Sequence, residues 1–284
     1  MQSSRSYGAR PTRAGPALLL AFALGGSAAE AAEGVAADAA QQQLVQKLMQ
    51  DVYRRDDGDL AHTRLRMLIK RDNRTRERTL SMWWRRFGGG SRRLLIFEAP
   101  GDIQNSGLLS VDYDEPERED DQWLFLKSLH RSTRITTDTK SGSFMGSDFS
   151  FADLTKPNPA SYTFSLVAAS EDVSGEDCTV VDAVPDARTK KESGYSKVRY
   201  WVSKQKHMFV RAKLWVESTH KLKFIQFGDV RQVSGIWTAY QVTARTLQGS
   251  ELESETTVST MAVAYGQTDV NDEMFTVGRL ERGL

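Results

Sequence analysis

Phe144-Met145-Gly146-Ser147-Asp148-Phe149-Ser150-Phe151-Ala152-Asp153-Leu154 is the stretch on which the reading of this chain turns. By residue type it is a loop running into a short helix. Gly146 permits a tight turn, Ser147 is placed to cap the amides of Phe149 and Ser150, and Asp148 sits in a first turn where negative charge is favoured. Phe144, Phe149 and Phe151 read as apolar plugs, and Asp153 as a local cap or ion-pair partner. The pattern is structural before it is chemical.

Outward from that stretch the chain changes period. Towards the N-terminus, Leu44, Val45, Leu48, Met49 and Val52 make one apolar stripe of a helix over residues 38–53, behind a small, polar tether at residues 32–40. From residue 63 onward the period is two. Leu65, Met67 and Ile69 alternate with Arg64, Arg66 and Leu68, and Leu80, Met82 and Trp84 alternate with Thr79, Ser81 and Trp83. Asp72-Asn73 and residues 88–91 supply the turns. Residues 93–98, 123–126, 162–167, 178–184, 197–202, 208–215, 222–227, 236–244 and 256–265 also read as strands. Short connections predict antiparallel neighbours. Residues 112–122 and 135–161 break that meander and are expected to cross an open side or rim.

The ends and the composition bound the setting. Arg5, Arg10 and Arg13 precede an apolar run over residues 17–24 and then small residues, the order of a secretory signal peptide over residues 1–31. Cleavage is expected after Ala29 or Ala31. A membrane anchor would need about 20 apolar residues, and Gly25 and Gly26 interrupt the run. Lys and Arg total 38 against 37 Asp and Glu; the expected mature chain keeps 35 against 36, which gives no general grip on nucleic acid. Cys178 is the one cysteine, so neither an internal disulfide nor a Cys-based metal site is open to the chain; among Val180, Val181 and Val184 it reads as a buried strand residue. The acidic run from Asp112 to Asp121 lacks the regular oxygen spacing of a calcium loop and reads as solvated.

Residues 144–154, with the preceding Gln122-Trp123-Leu124-Phe125-Leu126, Arg131, Arg134 and Ile135, resemble the outer-membrane lipoprotein-sorting protein family, the LolA/LolB-like periplasmic carriers. Residues 92–100, Asp102-Ile103, Gly194-Tyr195-Ser196-Lys197, Gly235-Ile236-Trp237-Thr238 and residues 272–276 resemble family positions in the same order. Asn105 stands where Gly is usual. Lys127 and Ser128 replace a common Pro and Ala, and residues 219–221 lack the usual hairpin Gly. The resemblance implies a mainly β fold: a single curved antiparallel sheet forming an open half-barrel, covered by a few helices and enclosing an apolar cavity. It assigns residues 32–284 to a lipid- or lipoprotein-carrier domain in the periplasm.

No nucleophile elbow, phosphate loop, dinucleotide fingerprint or zinc-protease helix occurs, and His62, His130, His207 and His220 are scattered. No catalytic, cofactor-binding or metal residue is therefore singled out, and the chain reads as a non-enzyme. Aromatic residues carry the functional expectation. Gly146, Ser147, Asp148, Asp153 and the three Phe are candidates for a cavity lid; Trp83, Trp84, Trp123, Phe125, Tyr162, Phe164, Trp201 and Trp215 are candidates for its lining. The expected partners are lipid or lipoprotein acyl chains, held by apolar burial, with transient membrane contact. The alternative is an interaction module serving an inner-membrane transporter of the resistance-nodulation-division type. The arginines at 64, 66, 74, 76, 78, 85, 86, 92 and 93 are read as a solvated strand face or a docking face for anionic groups.

Overall fold

The computed structural model describes residues 27–266 and 270–284, so the export signal expected over residues 1–31 lies almost wholly outside the described residues. Helix α1 (Ser27–Arg54) starts earlier than the apolar stripe does. Its residues Val45, Met49 and Val52 are buried, while Leu44 is 69% exposed and falls off the stripe. Thirteen strands follow, all in one sheet. They are β1 (Leu60–Arg71), β2 (Arg74–Phe87), β3 (Gly90–Ala99), β4 (Gly107–Tyr113), β5 (Asp121–Leu126), β6 (Arg131–Ile135), β7 (Tyr162–Val173), β8 (Glu176–Pro185), β9 (Tyr195–Ser203), β10 (Phe209–Val216), β11 (Leu222–Val233), β12 (Ile236–Gln248) and β13 (Glu251–Tyr265). Short helices α2 (Ala187–Ser193) and α3 (Val277–Arg282) and four single 3-10 turns complete the described elements.

The order across the sheet is β6-β5-β4-β3-β2-β1-β13-β12-β11-β10-β9-β8-β7. The chain enters in the middle, steps outward by hairpins to one edge, crosses to the other edge, and steps back until β13 lies beside β1. Every pairing is antiparallel, as short connections require. This order corrects the expected half-barrel. The sheet is open and not strongly curled: β6 and β7 are its two free edges and do not pair with each other. The link between them, residues 136–161, is a strap laid over one face, so no hairpin draws the edges together.

Period two decides which face each side chain takes. Ala61 stands opposite Trp84, Thr63 opposite Met82 and Leu65 opposite Leu80, and all point to the face that the strap covers. On that face the β1–β6 half packs Leu80, Leu95, Phe97 and Leu108 against Phe144 and Phe151 of the strap. The β7–β13 half packs Val181, Val198, Leu214 and Ile225 against Phe149 and helix α1. On the opposite face, Trp83, Leu94, Ile96 and Phe125 are covered by Val270, Phe275 and Leu280. Two left-handed residues, Asp72 (φ 52) and Asn73 (φ 58), make the β1–β2 turn. Asn105 (φ 64) and His220 (φ 55) also take left-handed positions.

Candidate functional site

Between the end of α1, the strap and the covered face lies a cavity of about 460 Å³, lined mostly by apolar side chains. Met49 and Val52 come from α1; Ala152, Thr155 and Pro159 from the strap; Met82, Phe164, Leu214 and Phe227 from the sheet. Its volume lies within the roughly 300–1,000 Å³ of small-molecule sites. Arg55, Asp57, Arg93, Asp153 and Lys156 supply the charged part of the wall. Lys156 Nζ lies 2.7 Å from Asp57 Oδ2, and Arg86 pairs with the other oxygen of the same carboxylate. Burial would raise the Asp57 carboxyl, but the two cations win and hold it below the usual carboxylate range.

The strap is tied down by buried polar groups. Asp148 is 4% exposed, and its carboxylate accepts hydrogen bonds from Thr246 (2.6 Å), Thr256 (2.7 Å) and Ser254, while its amide donates to Thr256 Oγ1. It therefore does not sit in a helical first turn. Ser147 donates to the Phe144 carbonyl at 2.7 Å and accepts from the Phe149 amide at 3.2 Å, closing the turn that Gly146 makes with φ +74°. Ser150 and Asp153 bond reciprocally across the start of the short 3-10 turn at Ala152–Leu154: the Ser150 amide donates to Asp153 Oδ2, and the Asp153 amide to Ser150 Oγ. Asp153 also accepts from Lys223 Nζ (2.8 Å) and from the Tyr195 hydroxyl (2.8 Å). Arg78, also buried, donates to the Met145 carbonyl at 2.6 Å.

Of the aromatic candidates, Trp84, Tyr162 and Phe164 border the cavity. Trp83, Trp123 and Phe125 lie on the opposite face, in or against the core under α3. Trp201 packs with Val180 and Val210, and Trp215 is half-buried with Lys197 and Lys213 over its ring at 4.2 and 4.8 Å. Phe144, Phe149 and Phe151 are core pegs beneath the strap and stand outside the cavity wall. Sequence reading missed Asp57, Lys156, Tyr195, Tyr200 and Lys223. The alternation of β9 held a signal for one of them: Tyr200 shares a face with Val198, whereas Trp201 shares one with Lys197 and Arg199.

The arginine cluster is largely spent within the fold. Arg64 pairs with Glu98, Arg66 with Glu77, Arg85 and Arg92 with Asp272, and Arg86 with Asp57. Cys178 is fully buried in β8, and burial pushes its thiol up to about 11. Among the described residues, no cluster of three or more His, Cys, Asp or Glu is placed to hold a metal ion.

A family profile described as "Uncharacterized protein" matches residues 89–282. No curated protein sequence matches the chain. Among solved structures, a protein from Vibrio parahaemolyticus, provisionally described as an outer membrane lipoprotein-sorting protein domain, is 26% identical with a TM-score of 0.75, over 84% of this chain and 98% of that one. A DUF1329 family protein from Desulfovibrio piger is 25% identical with a TM-score of 0.77, over 84% and 99%. A LolA superfamily protein from Nitrosomonas europaea, 15% identical over 83% and 97%, shares the fold with a TM-score of 0.60. With the profile covering more than half of its length, the chain belongs to that family of uncharacterized proteins, and it shares its fold with the LolA superfamily protein.

Proposed function

We propose that this protein is a non-enzymatic carrier of the bacterial envelope that shelters an acyl chain of a lipid or lipoprotein and passes it between membrane partners. The observation that carries the reading is the 460 Å³ apolar cavity roofed by the strap and α1. The likeness to the Vibrio protein, whose description names lipoprotein sorting, supports the same reading. Burying a chain there gains about 0.8 kcal/mol per methylene relative to water. A bilayer offers a chain nearly the same gain, so loading and unloading need no chemical step. Trp84, Tyr162 and Phe164 are the proposed aromatic contacts; Gly146, Ser147 and Asp148 act by shaping the strap. The carrier domain is residues 32–284, delivered to the periplasm by cleavage of residues 1–31.

A fluorescent fatty-acid probe titrated against the exported protein tests this. Saturable binding is expected, together with its loss in Ala212→Phe, which adds a ring at a buried position on the cavity wall. A wild-type protein without saturable binding overturns the carrier reading and leaves the transporter-accessory alternative.

A further inference from the structure

The cavity's tyrosines divide into two groups. Tyr53 donates to Asp114, Tyr195 to Asp153, and Tyr265 shares a hydrogen bond with Thr238. Tyr162 and Tyr200 line the same cavity, and their hydroxyls have no hydrogen-bond partner among the described residues. Tyr200 is only 7% exposed and borders the cavity. Buried polar groups are nearly always paired, and an unpaired one in an apolar chamber awaits a partner. Burial pushes both phenols above their ordinary value, which keeps them neutral donors.

We propose that Tyr162 and Tyr200 form a polar subsite that hydrogen-bonds a neutral oxygen, a hydroxyl or an ester carbonyl, on the chain of a single-chain amphiphile. This rests on the carrier reading and narrows its cargo. The oxygen is neutral because three of the four basic side chains on or beside the wall are already paired with carboxylates, and the fourth, Arg55, lies at the other end of the cavity from the two phenols. Lys156 pairs with Asp57, Lys223 with Asp153, Arg93 with Asp112 and the Leu154 carbonyl, and Arg55 with the Asp56 and Trp237 carbonyls. An anion drawn to the level of Tyr200, which lies in line with Ala212, Ile225 and Ala244, would be far from Arg55 at Trp237 near the start of β12, and burying it unpaired is costly. One chain is inferred from size: at about 30 Å³ per water-sized group, the cavity holds on the order of fifteen heavy atoms.

The test uses hexadecane, 1-hexadecanol and methyl palmitate, each delivered from cyclodextrin to displace a fluorescent fatty acid from the full exported protein. Wild type should prefer at least one oxygenated probe to hexadecane. Tyr200→Phe and Tyr162→Phe should each weaken that probe about fivefold and leave hexadecane unchanged. Loss confined to methyl palmitate identifies an acyl ester, and loss confined to 1-hexadecanol a hydroxylated chain. Saturable binding with no discrimination in wild type, or equal losses for all three probes in the Phe variants, overturns the subsite and spares the carrier. Absence of saturable binding for every probe overturns both.

Discussion

Replacing Lys223 by Met removes the cation of an ion pair that is almost wholly inside the protein. The two side chains are 9% and 5% exposed, and Nζ lies 2.8 Å from Asp153 Oδ2 and 2.5 Å from the Tyr195 hydroxyl. The substitution keeps most of the volume but leaves the buried Asp153 carboxylate with no cation, only the Tyr195 hydroxyl and the Ser150 amide as donors. Breaking a buried pair from one side costs about 3–5 kcal/mol, a large part of a stability of roughly 5–15 kcal/mol. For a chain of this size that is a fall in melting temperature of roughly 6–20 °C. The double variant Lys223→Met/Asp153→Asn removes both charges while keeping an acceptor for Tyr195, and should recover at least half of the loss. Urea unfolding of the wild type, both single variants and the double variant closes the cycle. A Lys223→Met cost under about 1 kcal/mol, with no coupling to Asp153, would refute the claim that this pair fastens the strap to β11.

Two further outcomes concern Asp112 and Gly146. Burial raises the Asp112 carboxyl to about 6, with Arg93 at 3.9 Å offsetting only part of the shift. Because the folded value exceeds the unfolded one of about 3.9, ionisation opposes folding above pH 6 and the penalty fades as pH falls towards 4. Asp112→Asn should therefore stabilise by on the order of 3 kcal/mol at pH 7.5 and by little at pH 4, read from thermal melts across that range; equal gains at both would count against it. At Gly146, φ is +74°, and the nearest atom to an added Cβ is Arg76 Nη1 at 3.7 Å, so the cost of a side chain is conformational. Gly146→Val should lose about 1–2 kcal/mol and exceed the roughly 1 kcal/mol of Ser147→Ala; the reverse order by chemical denaturation would contradict the backbone argument.

Local chemistry made the strands legible and left their order hidden. Alternation of Leu65, Met67 and Ile69 with polar residues sufficed for β1, because a half-buried strand writes its two faces into period two. β4 was missed: Gly107-Leu108-Leu109-Ser110 is buried on both faces and shows no alternation. β6 was missed as well, since an edge strand such as Arg131-Ser132-Thr133-Arg134 has too little to bury. Asp148 shows the limit most sharply. Its three hydroxyl partners lie 98 to 108 residues away on β12 and β13, and no local rule connects an aspartate after Gly146-Ser147 to them.

The topology explains why those distant partners meet where the cavity is. A chain that enters a sheet in the middle and grows outward must return from one edge to the other before it can finish beside its own start. The return segment has to cross a face, and a crossing backbone cannot lie on apolar side chains unless its polar groups are satisfied. Asp148, Asp153 and Arg78 meet that demand at β12–β13, β11 and β2, while Phe144, Phe149 and Phe151 fill the gaps between the ties. Past Leu154 the strap carries Thr155, Lys156, Pro157 and Pro159, which supply no large apolar peg, and there the space beneath it stays open. The residues that make the block at 144–154 recognisable are thus those that hold the roof, and the cavity begins where they end.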